Sequence, residues 1–111
     1  MDRGPVGPGP DLVGLSDALA SNDAPTRAAG LLRAPNVPGA EDLVVAALFD
    51  PVIEVRRTAV HVLARMAGAK GLRAIMDAAT RDPAPAVRAE AVAALGRVAR
   101  YRKEPGAEAA T

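Results

Sequence analysis

The sequence predicts an all-α fold, an α-solenoid of about three antiparallel helix pairs (six helices) with the first pair degenerate. Three features of the chain point there. It repeats itself at an interval of 32 residues. Its apolar residues recur at helical spacing, with no convincing strand alternation. Its composition suits short helices packed closely: half of the 111 residues are hydrophobic, about a quarter are alanine, and two are aromatic, Phe49 and Tyr101. A chain of this length makes one small domain.

Turn signals place the helices in order. The first runs over 11–21 and stops at Asn22-Asp23-Ala24-Pro25. The second spans 25–33 and ends before the Pro-rich stretch 34–39. The third covers 40–49 and stops at Asp50-Pro51. The fourth, 52–67, ends at Gly68; the fifth covers 71–81; the sixth spans 85–102 after Asp82-Pro83. Asp50 and Asp82 read as N-caps, each followed by Pro at the first helical position, where no amide hydrogen bond is lost. Residues 1–10, MDRGPVGPGP, and 104–111, EPGAEAAT, read as a disordered lead and tail. The helical-repeat domain is then 11–103, divided as 11–38, 39–70 and 71–103.

Shifting the chain by 32 residues superposes nine identities within 50–68: Asp50, Pro51, Val55, Arg56, Ala59, Val60, Leu63, Arg65 and Ala67 fall on Asp82, Pro83, Val87, Arg88, Ala91, Val92, Leu95, Arg97 and Ala99. The preceding helices correspond as well, with Leu43, Val44, Ala46 and Ala47 facing Ile75, Met76, Ala78 and Ala79. Residues 11–38 keep only the outline, in Leu15, Leu19, Asp23, Leu31 and Leu32, and lack a clear Val-Arg pair.

The strings DPVIEVRRTAVHVLARMAG and DPAPAVRAEAVAALGRVAR resemble the second helix of HEAT repeats, above all the short bacterial HEAT-like class that includes the phycobilin-lyase type. The family pattern falls on Asp50, Val55, Arg56, Ala59 and Leu63, and again on Asp82, Val87, Arg88, Ala91 and Leu95. The resemblance covers about 39–102 and specifies fold far better than function. It implies that the second helices line a concave surface.

At 100° per residue, Arg56 shares a helix side with Val52, Ala59 and Leu63, facing the core. A charge there needs a partner, because an unpaired buried charge costs several kcal/mol. Asp50 and Asp82 are the available carboxylates, so Asp50, Arg56, Asp82 and Arg88 read as an inter-repeat ladder, which the resemblance also implies. The opposite side of the fourth helix carries Glu54, Arg57, Thr58, His61 and Arg65; the matching side of the sixth carries Glu90 and Arg97, with Arg100 and Tyr101 nearby. This is either a solvated charged face or a groove for an acidic protein or peptide segment, with arginines as forked donors. Arg57, His61, Arg65, Arg97, Arg100 and Tyr101 are its candidate partner-binding residues.

The sixth helix is apolar almost all round, although a terminal repeat normally shows a polar outer face. Alanine tolerates exposure, so helix propensity alone accounts for this, or else Val92, Leu95 and Ala99 form an assembly face for a homo-oligomer or another partner. Charge is uneven: residues 1–50 carry three basic and seven acidic side chains, residues 51–103 eleven and four. The terminal Arg100-Tyr101-Arg102-Lys103 cluster suits a helix C-terminus. A nucleic-acid-binding module is the weaker alternative, since it would want a wider basic surface and more stacking aromatics.

Chemistry is scarce. There is no Cys, one His, no Gln, two Ser and two Asn. Neither Ser16 nor Ser21 has a His or Lys nearby in sequence, no Gly-rich phosphate loop follows a strand, and His61 lacks the further ligands a metal needs. A chromophore pocket of the lyase type is not recognisable, and no cofactor is nominated. No apolar run approaches the roughly 20 residues of a membrane span, and the start lacks the order of a secretory signal, so the expected location is cytoplasmic. The expectation is a non-enzymatic adaptor or scaffold that binds protein or peptide.

Overall fold

The computed structural model describes residues 11–103; the lead and tail expected to be disordered lie outside the described residues. Six α-helices follow in order: α1 (Leu12–Leu19), α2 (Ala24–Arg33), α3 (Glu41–Ala47), α4 (Ile53–Met66), α5 (Ala69–Arg81) and α6 (Pro85–Lys103). A single 3-10 turn, Ala34–Asn36, follows α2 where Pro35 interrupts the helical bonding. The second helices of the three pairs form one layer with α4 between α2 and α6, and each packs on its own first helix. This is the antiparallel two-layer stack the repeat predicts.

Local chemistry explains most boundaries. Asp11 caps α1 by accepting from the Gly14 amide at 2.6 Å. Asp23 caps α2, accepting from the Thr26 amide at 3.0 Å and its hydroxyl at 2.6 Å, with Pro25 in the first turn. The second helices of the two clear repeats depart from expectation. Val52, not Asp50, is the N-cap of α4, and it has no side-chain cap; Asp82 is the C-cap of α5. Each Asp instead accepts from the amide two residues on, Val52 or Ala84, at 2.9 Å. The Asp-Pro therefore closes the turn between helices, and its carboxylate stays available to a neighbouring repeat.

Helix α5 begins two residues earlier than the turn signals suggest. Its N-cap, Gly68, has no side chain, and the cap arrives from another element: the Glu41 carboxylate of α3 accepts from the Gly71 amide at 2.9 Å. A Cβ at Gly68 would overlap that carboxylate, so a side chain there would push the Glu41 cap aside.

The core runs through all three pairs. Leu31, Val44, Val55, Val60, Val62, Leu63, Ile75 and Val87 are wholly buried, half of them on α4. Alanines make up much of the rest, beside Leu15, Val37 and Leu48: Ala34, Ala40, Ala59, Ala91 and Ala94 are buried too, which lets helix axes approach closely. Gly30 does the same between α1 and α2, where a Cβ would come within 2.8 Å of the Ala18 methyl.

Helix α4 ends on Ala67 in the left-handed region, at φ 54°, ψ 27°, with its amide bonded to the Leu63 carbonyl. An L-residue with a Cβ pays for that conformation, and glycine does not. Ala67→Gly is therefore expected to stabilise the domain by roughly 0.5–1 kcal/mol. Urea unfolding checks this: the midpoint rises while the slope stays constant.

Candidate binding groove

An ionic register between repeats sets the spacing of the second helices. The Asp50 carboxylate receives Arg27 Nε at 2.8 Å and Nη2 at 3.0 Å. One repeat later, Asp82 receives Arg56 Nε at 2.9 Å and Nη2 at 3.1 Å. Each arginine also hooks a backbone carbonyl six residues back: Arg27 to Ser21 at 2.9 Å, Arg56 to Asp50 at 2.8 Å, Arg88 to Asp82 at 2.7 Å. Forked geometry with every acceptor in reach is what lets guanidinium groups sit at the repeat boundaries.

The forked bonds from Arg27 hold the Asp50 carboxyl below its ordinary range against an opposing effect of burial, helped by the Val52 amide. At Asp82 burial is the largest influence and pushes upward. It is outweighed by the bonds from Arg56 and the Ala84 amide together with the charges of Arg56 and Arg88, so this carboxyl too lies low.

Of the four residues expected in the ladder, Arg56 and Asp82 meet each other and Asp50 meets Arg27. Arg88 binds only a carbonyl, and no carboxylate pairs with it among the described residues. Arg27 was not legible at a 32-residue offset, which sets Ala24 opposite Arg56. The six-residue hook finds it: Ser21 to Arg27 matches Asp50 to Arg56, so the first copy is offset by 29.

With the helices held in this register, a groove of about 550 Å³ opens between the C-terminal ends of α4 and α6. Ala64, Ala67 and Val98 are its apolar lining; His61, Arg65, Arg97, Tyr101 and Arg102 are its polar lining. No Asp or Glu lines it. Four of the six expected partner-binding residues are thus brought together, namely His61, Arg65, Arg97 and Tyr101.

Arg57 and Arg100 do not line the groove. Arg57 lies nearer the start of α4 and bonds Glu54 at 3.1 Å, while its Nε is buried without a partner. Arg97 is also engaged, by Glu90 at 3.1 Å. Arg65 has no ion pair among the described residues. Arg102 is an addition to the expected set, its Nη2 reaching toward the Ala67 carbonyl at 3.5 Å. Its signal was the length of α6, 19 residues against 14 in α4: the extra turn overhangs the end of α4.

The expected assembly residues on α6 do not line the groove, although Arg102 of its wall continues their stripe. Val92 and Ala99 are exposed, and Leu95 is half-buried against the core. A second cleft, about 400 Å³, lies at the inter-helix turns beside Phe49 and Asp77; Asp50 and Asp82, which also line it, already serve the ladder. Among the described residues there is no cluster of three or more metal-ligating side chains, and no helix is long and apolar enough to cross a membrane.

The family described as HEAT repeats matches residues 12–96. No curated protein and no solved structure shows a significant match to the chain.

Proposed function

The chain belongs to the HEAT repeat family, and from that premise we propose that it is a non-enzymatic adaptor taking an acidic protein or peptide segment into the groove between α4 and α6. HEAT repeats commonly mediate protein–protein interaction, and proteins built from them are generally scaffolds. The observation that carries the reading is the composition of the groove wall: three arginines, a histidine and a tyrosine around an apolar floor, with no carboxylate. An extended acidic segment would lay aliphatic or small side chains on Ala64, Ala67 and Val98 and offer carboxylates to Arg65 and Arg102. Arg97 would exchange Glu90 for a ligand carboxylate, and Tyr101 gives a rigid amphipathic wall. Arg57 and Arg100 remain candidates for contacts beyond the groove itself.

Fluorescence anisotropy of the full chain with labelled Asp/Glu-rich and neutral peptides tests this. The acidic peptide binds with an affinity that falls as salt rises, and Arg65→Glu with Arg102→Glu weakens it by roughly tenfold to a hundredfold. Arg73→Glu, on exposed α5 surface in the other layer, leaves it unchanged. Unaltered capture by the double variant would remove the groove from the reading. A single-stranded oligonucleotide that outcompetes the peptide would move it to nucleic acid, against the presence of one stacking side chain, Tyr101.

A further inference from the structure

We propose that α6 carries a second docking face, Arg88, Val92, Leu95 and Ala99, which receives a HEAT-like hairpin of another chain that bears an aspartate in the turn before its second helix. This goes beyond the groove and does not depend on it.

The register of the repeats carries the inference. Arg27, Arg56 and Arg88 hold the same place in the three second helices, each hooking the carbonyl six residues earlier. Four residues after each stand Leu31, Val60 and Val92. Leu31 and Val60 are 0% exposed; Val92 is 61% exposed. Leu63 is wholly buried, whereas its counterpart Leu95 is half-buried. At 100° per residue, Arg88, Val92, Leu95 and Ala99 fall within one narrow stripe of α6. The side of α4 that the next hairpin, α5 with α6, covers thus reappears on α6 with nothing over it among the described residues.

Chemistry specifies the occupant. Arg27 takes the carboxylate of Asp50 and Arg56 that of Asp82, in both cases from the turn preceding the next second helix. Arg88 is held by its carbonyl hook with no carboxylate on its fork among the described residues. The face therefore fits an apolar helix whose preceding turn supplies an Asp.

A second copy of this chain presents the wrong front. Ser21 stands in the place of Asp50 and Asp82, and the nearby Asp23 carboxylate is spent on Thr26. Arg33, exposed, stands where the buried Val62 and Ala94 stand. A homo-oligomer built head to tail would leave the Arg88 fork without a carboxylate and would set a charged Arg33 where the stack has the apolar Val62 and Ala94. Antiparallel pairing of two α6 helices would set Arg88 of each against the basic end Arg100, Arg102 and Lys103 of the other.

The test compares the natural chain with a register-true duplication in which residues 1–98 are followed by 67–111, so that Arg88 meets a copied Asp82. The duplicated protein is expected to unfold in one transition at a higher midpoint. In it Arg88→Ala lowers the midpoint as Arg56→Ala does in the natural chain, within a factor of about two, and changing the copied Asp82 to Asn lowers it too. In the natural chain Arg88→Ala shifts the midpoint little. An equally small effect of Arg88→Ala in both proteins, or a duplicated protein that melts lower, overturns the proposal. Sedimentation of the natural chain is expected to show monomer from low micromolar concentration upward. A dimer dissolved by Val92→Glu would make the occupant a second copy and overturn the assignment in that way.

Discussion

Arg56→Ala is expected to lower the stability of the domain by about 3–5 kcal/mol, the range seen when one partner of a buried ion pair is removed. The Arg56 side chain is 10% exposed and the Asp82 side chain 4%. Truncation strips a buried carboxylate of its two forked bonds and leaves the Asp50 carbonyl without the Nη1 donor. For a domain of this size the melting temperature falls by about 10 °C or more. The variant Arg56→Met with Asp82→Asn recovers more than half of the loss, because no charge then remains buried and the amide oxygen still accepts from Ala84. If the double variant is no more stable than Arg56→Ala, the loss lies in packing of the arginine stem and the ionic account fails.

The same rungs give the domain an acid limb. Asp50 and Asp82 have carboxyls held below the ordinary range in the folded protein. The unfolded chain binds protons at the ordinary aspartate value of about 3.9, so the stability these groups contribute is complete above that pH. It is lost progressively as pH falls below it and through the folded values. Asp82→Asn removes one titrating rung. That variant is less stable at neutral pH and loses less on acidification, which denaturant midpoints taken between pH 7 and pH 2.5 would show.

Leu63→Ala is expected to cost about 3 kcal/mol, within the 2–5 kcal/mol typical of emptied core sites. Leu63 is 0% exposed on the central helix, and its Cδ2 lies where a Cβ on Gly71 would come within 2.9 Å, so the space has little freedom to collapse. Leu95→Ala at the equivalent place should cost less than half as much, because that side chain is half-buried at an open face. Chemical denaturation of the two variants provides the comparison. Equal losses would mean that α6 is packed at Leu95 as α4 is at Leu63, which would count against an uncovered stripe on α6.

Much of the fold was legible in advance because helices of this kind are specified by local signals. Pro, Gly and Asp positions limited all six helices to within about three residues, since start and stop chemistry acts over one turn. Where the reading failed, the missing partner was distant in sequence. Glu41 supplies the cap that Gly68 cannot, across 30 residues to the Gly71 amide, and so α5 begins early. Asp50 and Asp82 carry the residue type of an N-cap, and only the path of the turn reveals that their carboxylates face the preceding repeat. Arg27 escaped notice because the first copy is three residues shorter in register, which a constant offset cannot show.

The groove divides in the same way. His61 and Arg65 lie one turn apart, and Arg97 follows from the repeat, so their shared side was a matter of helical period. That Arg102 joins them depends on how far α6 extends past α4, and that Arg57 is withdrawn depends on the rotamer that reaches Glu54. Periodicity along a single helix and repetition along the chain are written in the order of residues, and they determined the all-α class, the three pairs and the burial of Arg56. Which carboxylate each arginine meets, which side of α6 is left bare and where the groove closes were decided by the tertiary structure. Those outcomes depend on the relative rotation and overhang of packed helices, and such quantities emerge only when side chains from distant segments compete for the same space.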